Sequence, residues 1–209
     1  MSYPLPKNEV DRMRALRSYK ILDTHPEERF DDLTQLAAII CGVPISLITL
    51  LDTDRQWFKS RFGLDVQETP RAQAFCTHAI MQPEMFVVSN AADDVRFAEN
   101  PLVKGDPHIR FYAGAPLATK EGHLLGTLCV IDRQPRTLTE EQKRALEILG
   151  RQVIATIELR RDLRELKEAL AARDAVEGPS GEAAAGLDPI IQKLRDVAAE
   201  LQAVREGRA

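Results

Sequence analysis

The first part of the chain has hydrophobic residues at helical spacing. Between residues 8 and 20, apolar side chains recur every three or four positions, which predicts an amphipathic helix. The motif Thr24-x-x-Glu27 is typical of a capping box and predicts that a second helix begins near Thr24. This helix should end at Gly42, because glycine favours the left-handed conformation that closes many helices.

The C-terminal part of the given sequence has a different pattern. The motif Thr139-x-x-Gln142 predicts a capping box that opens a long helix from about residue 140 to 175. Beyond residue 158 its apolar positions narrow to a 4-3-4 seam among many charges, which is typical of a coiled coil. A glycine-containing linker is predicted at 177–187, and a last amphipathic helix at 188–209. The leucines predicted to contact a dimer mate or partner are Leu159, Leu163, Leu166, Leu170, Leu194 and Leu201.

The segment between these helical ends has the character of a sheet. Residues 44–52 form an apolar, β-branched run that predicts a buried strand, and residues 56–61 read as its hairpin partner. Further strands are predicted at 85–89, 110–117 and 124–132. A short helix is predicted at 70–81, and Asp94 is predicted to cap a one-turn helix before Asn100. Strands interrupted by short helices favour an α+β domain.

Composition and charge exclude several classes of function. The net charge of −4 gives no electrostatic basis for binding nucleic acid or a membrane surface. No apolar run approaches the ~20 residues that span a bilayer. The three widely spaced cysteines imply no disulfide framework, and the first residues do not resemble a secretory signal. We therefore expect a cytoplasmic protein without nucleic-acid or membrane partners.

Several side chains are candidates for chemistry. Cys76 and His78 could ligate a metal or act as a nucleophile and base, or they could line a pocket or pack in the core. The other histidines and cysteines are too dispersed to complete a metal site, so we predict no metal. Cys129 lies in the middle of an apolar strand, where a small buried thiol is ordinary.

Aromatic and basic residues raise a second set of alternatives. Trp57 and Phe58 must face opposite sides of a strand, as must Phe111 and Tyr112, so one residue of each pair can face a ligand. Phe75 and Phe97 either line the same cavity or pack as plain core. Three arginines on one wall would select an anion, or each would pair with a nearby carboxylate such as Asp93 or Asp94. They are Arg71, Arg96 and Arg110.

Seven short strings, in this order, resemble the GAF domain family, specifically the bacterial signalling GAF domains that precede kinases and cyclases. The strings are LRSYKILDT (16–24), ERFDDL (28–33), QWFKSRFGL (56–64), FCTHAI (75–80), RFAENPLV (96–103), FYAGAPL (111–117) and GTLCVID (126–132). Each string alone is weak evidence for the family, whereas the seven strings in this order are specific to it. The resemblance covers about residues 8–160.

The resemblance implies an α+β fold, with a six-stranded antiparallel sheet, helices packed on one face and a ligand pocket on the other. It divides the chain into an N-terminal helix (1–24), a sensor domain (25–158) and a signalling-helix extension (159–176), followed by the predicted linker (177–187) and last helix (188–209). It also implies a homodimer formed through the terminal helices. The side chains predicted to bind the ligand are Trp57, Phe75, Cys76, His78, Phe97, Arg110, Tyr112 and Cys129.

Departures from the patterns of known family subgroups narrow the range of possible ligands. The adjacent Asn-Lys pair of the cyclic-nucleotide-binding subgroup does not occur, and Thr77 separates Cys76 from His78 where bilin-binding members place them together. We therefore expect no known cofactor and an unidentified small molecule.

The expected function is that of a regulatory signal-transduction module, not an enzyme. Neither a diguanylate-cyclase string nor a phosphoacceptor histidine follows the sensor domain, so we expect no catalytic output domain of its own. Signalling would then pass through the terminal helices to a dimer mate or a protein partner. Two alternatives stay open: a dimerisation scaffold with a vestigial pocket, and an enzyme similar to the free methionine sulfoxide reductases of this family.

Overall fold

The computed structural model describes residues 3–177, which fall into two units. The first unit ends at Asp162 and contains a sheet; the second starts at Leu163 and continues the last helix. The helices are α1 (Glu9–Ser18), α2 (Glu28–Cys41), α3 (Cys76–Ala79), α4 (Pro101–Lys104) and α5 (Glu140–Glu177). The strands are β1 (Ile45–Leu51), β2 (Arg55–Phe62), β3 (Glu68–Pro70), β4 (Phe86–Val88), β5 (Phe111–Ala118) and β6 (Leu124–Asp132).

The six strands form one antiparallel sheet in the order β3-β2-β1-β6-β5-β4. β1 lies at its centre between β2 and β6, and every residue of β1 is buried. A strand covered on both faces carries apolar side chains at successive positions, which is why residues 44–52 read as a continuous apolar run. The predicted α+β class with a six-stranded antiparallel sheet is confirmed.

Each face of the sheet carries its own hydrophobic core. One core combines residues of β1, β5 and β6 with α1, α2 and the first turns of α5, as far as Ile157. The other core packs α3, α4 and their loops on the opposite face. Alternation along the strands divides neighbours between the two, as predicted: Trp57 and Phe111 lie in the first core, Phe58 and Tyr112 in the second.

A buried ion network ties α1 to the strands. The guanidinium of Arg12, which has no exposed surface, donates to both carboxylate oxygens of Glu9 and to the carbonyl oxygen of Leu51 at 2.8 Å. The same carboxylate accepts from Arg71 at 2.6 Å. Glu9 thus neutralises buried charge from two elements at once.

The two predicted capping boxes had different outcomes. At the start of α5 the box is confirmed: the Thr139 amide donates to Gln142 Oε1, and the Gln142 amide donates to Thr139 Oγ1. At Thr24 the prediction is wrong, because α2 begins only at Glu28. The buried ammonium of Lys59 takes both Thr24 Oγ1 and the Glu27 carboxylate as acceptors, so neither is left to cap the helix.

The inserted segments also differ from their predictions. The helix predicted at 70–81 is a 3-10 turn at Arg71–Gln73 followed by the single turn of α3. The cap predicted at Asp94 is present, since its carboxylate accepts from the amide of Arg96 and the Ala98 amide bonds to the Asp94 carbonyl oxygen, but the turn that follows is too short to form a helix. The next helix is α4, capped by Asn100, whose side chain accepts from the amide of Leu102. Strand β3 had no counterpart among the predicted strands.

The leucine seam of α5 is largely uncovered. Leu159 is 52% exposed at the end of the first unit, and in the second unit Leu163 and Leu166 are 45% and 46% exposed. Leu170 is half-buried. Leu194 and Leu201, with the predicted helix at 188–209 and the linker from residue 178 onward, lie outside the described residues. Along residues 3–177, no helix is both long enough and apolar enough to cross a membrane.

Candidate ligand-binding cavity

A cavity of about 310 Å³ lies on the sheet face opposite α1, α2 and α5. Its walls are the side chains of β1, β2, β5 and β6, and it is closed by the segment that follows β2 and by the loop that follows α4. The apolar walls are formed chiefly by Leu47, Phe58, Phe75, Ile109, Tyr112 and Ile131. The cavity is therefore a mainly apolar compartment built on rigid strands.

Cys76, Tyr112 and Cys129 form the floor of this cavity, together with the hydroxyls of Thr49 and Thr127 that lie behind them. Cys76 Sγ accepts hydrogen bonds from the Tyr112 hydroxyl at 3.2 Å and from Thr127 Oγ1 at 3.1 Å. Thr127 Oγ1 in turn lies 3.1 Å from Thr49 Oγ1. Gly114 makes the arrangement possible, since a Cβ at that position would overlap the Tyr112 hydroxyl. The floor is a continuous hydrogen-bonded cluster that spans three strands.

The cluster shifts the acidity of its members in opposite directions. Burial raises the pKa of the Cys76 thiol, but hydrogen bonds from Cys129, Thr127, Thr49 and Tyr112 outweigh burial and lower the pKa to about 7. Burial and the neighbouring Cys76 sulfur raise the pKa values of Tyr112 and Cys129 well above their ordinary values. Of the titratable groups in the floor, Cys76 is therefore the one that ionises most readily.

One polar side chain in the wall uses only one of its two polar atoms in hydrogen bonds within the described residues. Gln56 on β2 is 5% exposed and donates from Nε2 to Thr69 Oγ1 at 3.1 Å, and both residues line the cavity. Gln56 Oε1 is buried and accepts no hydrogen bond from any group in the described part of the chain. Because buried acceptors are nearly always hydrogen-bonded, this oxygen is an exception that has the capacity to accept a further hydrogen bond.

Charged groups are confined to the rim. Asp65, Asp106 and Arg133 line the cavity, and all three are exposed. Arg133 Nε donates to the carbonyl oxygen of Pro107, which holds the guanidinium beside the α4–β5 loop. The charge at the entrance is therefore of mixed sign.

The structure brings four of the eight predicted ligand-binding residues to the cavity: Phe75, Cys76, Tyr112 and Cys129. Phe97 lies behind the wall, stacked on Phe75 with ring centroids 4.0 Å apart. The His78 ring meets the edge of Phe97 at 4.9 Å. Burial and the Arg96 guanidinium lower the pKa of His78. These two rings support the wall without lining it.

The other two predicted residues lie elsewhere. Trp57 points into the core beneath the helices, because strand alternation gives the cavity side to Phe58. Arg110 donates to the carbonyl oxygens of Val103 and Ile109 and so holds the loop after α4. The predicted absence of a metal stays a prediction; residues 3–177 contain no cluster of three histidine, cysteine or acidic residues that could hold one.

The alternative of three arginines on one wall is wrong. Arg71 pairs with Glu9 and Arg96 pairs with Asp94, whereas Arg110 binds backbone oxygens. The sequence analysis also missed Gln56 and Thr69. A usable signal existed for Gln56: it lies two positions before Phe58 on one strand, and so on the same face.

This combination of features defines the class of domain. A six-stranded antiparallel sheet with three helices on one face and short helical loops around a cavity on the other is an α+β domain of the GAF type. The chain belongs to the GAF domain family, because the family model described as GAF domain matches residues 25–157. The resemblance read from the seven sequence strings is confirmed.

A named relative of the chain comes from a bacterium. The chain is 43% identical over 166 residues to a Pseudomonas aeruginosa protein named cyclic di-GMP phosphodiesterase, a match that covers 79% of this chain and 28% of that protein. The chain thus corresponds to less than a third of the length of that relative.

Solved structures share the fold at low identity. The GAF domain of an Acinetobacter phosphoenolpyruvate-protein phosphotransferase matches with a TM-score of 0.54 at 18% identity, over 77% of this chain and 99% of that one. A free methionine-R-sulfoxide reductase from Neisseria meningitidis, solved with its substrate, also matches with a TM-score of 0.54, at 14% identity over 78% of this chain and 98% of that one. At these identities the likeness concerns the fold.

Proposed function

We propose that this chain is a regulatory domain that binds a small molecule in the cavity and transmits its occupancy through the terminal helices. The observation that carries the proposal is a mainly apolar cavity of about 310 Å³ whose wall holds the buried, unpartnered acceptor Gln56 Oε1. Ligand cavities of proteins have this character, at roughly 300–1,000 Å³ with a few placed polar groups.

The chemistry of the walls describes the ligand. Leu47, Phe58 and Ile131 favour an apolar body, and Gln56 Oε1 requires an N–H or O–H donor. The hydroxyl groups of the cavity floor donate to Cys76, and the residues at the rim carry both positive and negative charge. The proposed ligand is therefore a compact, largely apolar molecule with at least one hydrogen-bond donor.

Strand β2 offers a route from the cavity to the helices. Phe58 faces the cavity, and its neighbour Lys59 is buried with Nζ 2.7 Å from Glu27 Oε1. The same carboxylate oxygen accepts from Arg160 Nε on α5 at 3.0 Å. A ligand that shifts β2 would alter this ion network, and only a ligand that prefers one arrangement of α5 can change the output.

The proposed output lies outside the sensor core. We propose that the exposed seam of Leu159, Leu163 and Leu166 pairs with a second copy or a protein partner, because an uncovered apolar stripe gains free energy when it is buried. Since the P. aeruginosa relative is named a cyclic di-GMP phosphodiesterase, an activity of that class is a proposed target of regulation. The domain itself is proposed to act without catalysis.

A scaffold with a vestigial pocket is the second candidate, favoured by the same exposed leucines. The two functions differ in whether the cavity takes a ligand. We therefore suggest a thermal-shift screen of metabolites on the wild-type protein, on Gln56→Met and on Gln82→Met, a matched control at an exposed position.

The sensor function predicts a compound that stabilises the wild type and the control. Loss of a buried hydrogen bond should weaken its affinity for Gln56→Met about tenfold, a difference of ~1.4 kcal/mol. If no compound stabilises the wild type, or if Gln56→Met binds it equally well, the cavity is not the sensor site and the scaffold function is favoured.

A further inference from the structure

Two free cysteines from different elements meet in the floor of the cavity. Cys76 is the first residue of α3 and Cys129 lies in β6, and their residues are 2% and 0% exposed. Both line the cavity, so the two thiols face the same space. The third cysteine, Cys41, ends α2 in the core on the opposite face of the sheet.

The surroundings of Cys76 favour its thiolate. Two hydrogen bonds reach the Cys76 sulfur, from Tyr112 on β5 and Thr127 on β6, and Thr49 of β1 and Cys129 of β6 complete the surroundings that lower its pKa. Of these groups only Tyr112 and Cys129 titrate, and the pKa values of both lie well above the ordinary range, so both stay protonated at neutral pH. Neutral donors around one sulfur favour negative charge there over the other groups of the cluster.

We propose that Cys76 and Cys129 form a reversible dithiol–disulfide site that is oxidised by a hydroperoxide entering through the cavity. In the first step the Cys76 thiolate attacks one peroxide oxygen and the O–O bond breaks. This step forms a sulfenic acid on Cys76. The leaving group is hydroxide from hydrogen peroxide or an alkoxide from an organic peroxide, and it takes up a proton from solvent to become water or an alcohol.

In the second step the Cys129 sulfur attacks Cys76, the S–O bond breaks and a second water leaves with the thiol proton. The two thiols lose two electrons in total, and the peroxide gains them. A dithiol reductant returns the site to its starting state. The disulfide would join α3 to β6 across the cavity floor, so oxidation would change the space available there.

Cys41 provides a matched comparison within the same molecule. Burial, only partly offset by Arg136, raises the pKa of the Cys41 thiol to about 11, whereas the pKa of Cys76 is about 7. Cys76 therefore ionises more readily than Cys41, and thiolate is the form that reacts with peroxide. The site does not depend on the proposed small-molecule function, because its chemistry requires no ligand.

The direct test uses the unmodified protein. Fully reduced protein is treated with hydrogen peroxide, free thiols are alkylated at intervals, and each cysteine is followed by peptide mass spectrometry without reduction. The proposal predicts a peptide pair joined by Cys76 and Cys129, reversed by dithiothreitol. It also predicts oxidation of Cys76 at least about tenfold faster than that of Cys41, with a rate that rises between pH 6 and 8.

Variants then assign the roles. In Cys129→Ser the sulfenic acid should persist on Cys76 and be trapped by dimedone, in Cys76→Ser peroxide should leave Cys129 reduced, and Cys41→Ser should behave as the wild type. Cys129→Ala serves if the serine variant fails to fold. Oxidation of Cys76 no faster than that of Cys41, or no Cys76–Cys129 bond in the wild type, would overturn the proposal. Loss of ligand binding in Gln56→Met tests the sensor function alone.

Discussion

At the scale of single residues, the buried charges decide how the chain must fold. Arg12 and Arg71 are almost fully buried, and Glu9 is the carboxylate that contacts both. Arg71 Nε and Nη2 have no hydrogen-bond partner within the described residues, so its charge depends on Glu9 and on backbone oxygens. Burial opposes ionisation of Glu9, but the two guanidiniums prevail and lower its pKa from 4.5 to about 2.

Replacing Glu9 with Gln should therefore destabilise the domain by about 3 kcal/mol, because two buried guanidiniums lose their counter-charge. The folded pKa lies below the unfolded value, so the stabilisation is present above pH 4.5 and is lost as the pH falls towards 2. Urea denaturation of wild type and Glu9→Gln at pH 7 and pH 3 measures this. Their difference should shrink at the lower pH.

Asp11→Asn is the matched control, because Asp11 pairs with Arg14 on the same helix but both side chains are exposed. It should change stability by less than about 1 kcal/mol. Equal effects of the two substitutions would show that the buried network contributes no more than a surface ion pair.

At the scale of elements, the structure shows which helices and strands can be predicted from a sequence pattern alone. Strand β6 was predicted with its observed bounds, because nine residues of buried strand give a long apolar signal. Strand β3 has three residues, none of them buried, and no periodicity can reveal it. The capping box at Thr24 failed for a tertiary reason, since Lys59 takes the same oxygens. Half of the ligand-binding residues predicted from the aromatic and thiol pattern line the cavity, whereas Gln56 needed the strand register.

The confirmed capping box predicts the effect of a single hydroxyl. Thr139→Ala removes the acceptor for the Gln142 amide and should lower the free energy of unfolding by about 1 kcal/mol. Thr137→Ala, two residues earlier and exposed, should change it by less than about 0.5 kcal/mol. Chemical denaturation at pH 7 compares the two. Identical values would mean that the box does not stabilise the start of α5.

At the scale of the whole molecule, one sheet separates two cores with different contents. The helix side is filled by Trp57, Leu146 and their neighbours, and the other side retains a cavity above a thiol and hydroxyl floor. α5 packs on the filled side as far as Ile157 and carries exposed leucines from Leu159 onward. Association through this seam is the proposed link between cavity and output.

Replacing Leu163 and Leu166 with Asp should abolish self-association, because charges in a leucine seam lose more solvation than they gain in contact. Analytical ultracentrifugation of residues 1–209 measures the mass, and circular dichroism checks that the sheet is folded. Val95→Asp is the control, since Val95 is an apolar residue that is 97% exposed and lies away from the seam. A monomeric wild type would contradict the proposed homodimer.

Hydrogen–deuterium exchange tests most directly whether the cavity is coupled to the helices. With a stabilising compound bound, the account predicts slower exchange in β2 and α3 and, in the same experiment, altered exchange in residues 146–160 of α5. Both changes should be absent in Gln56→Met at a concentration that saturates only the wild type. Protection confined to the cavity strands, with α5 unchanged, would contradict the account.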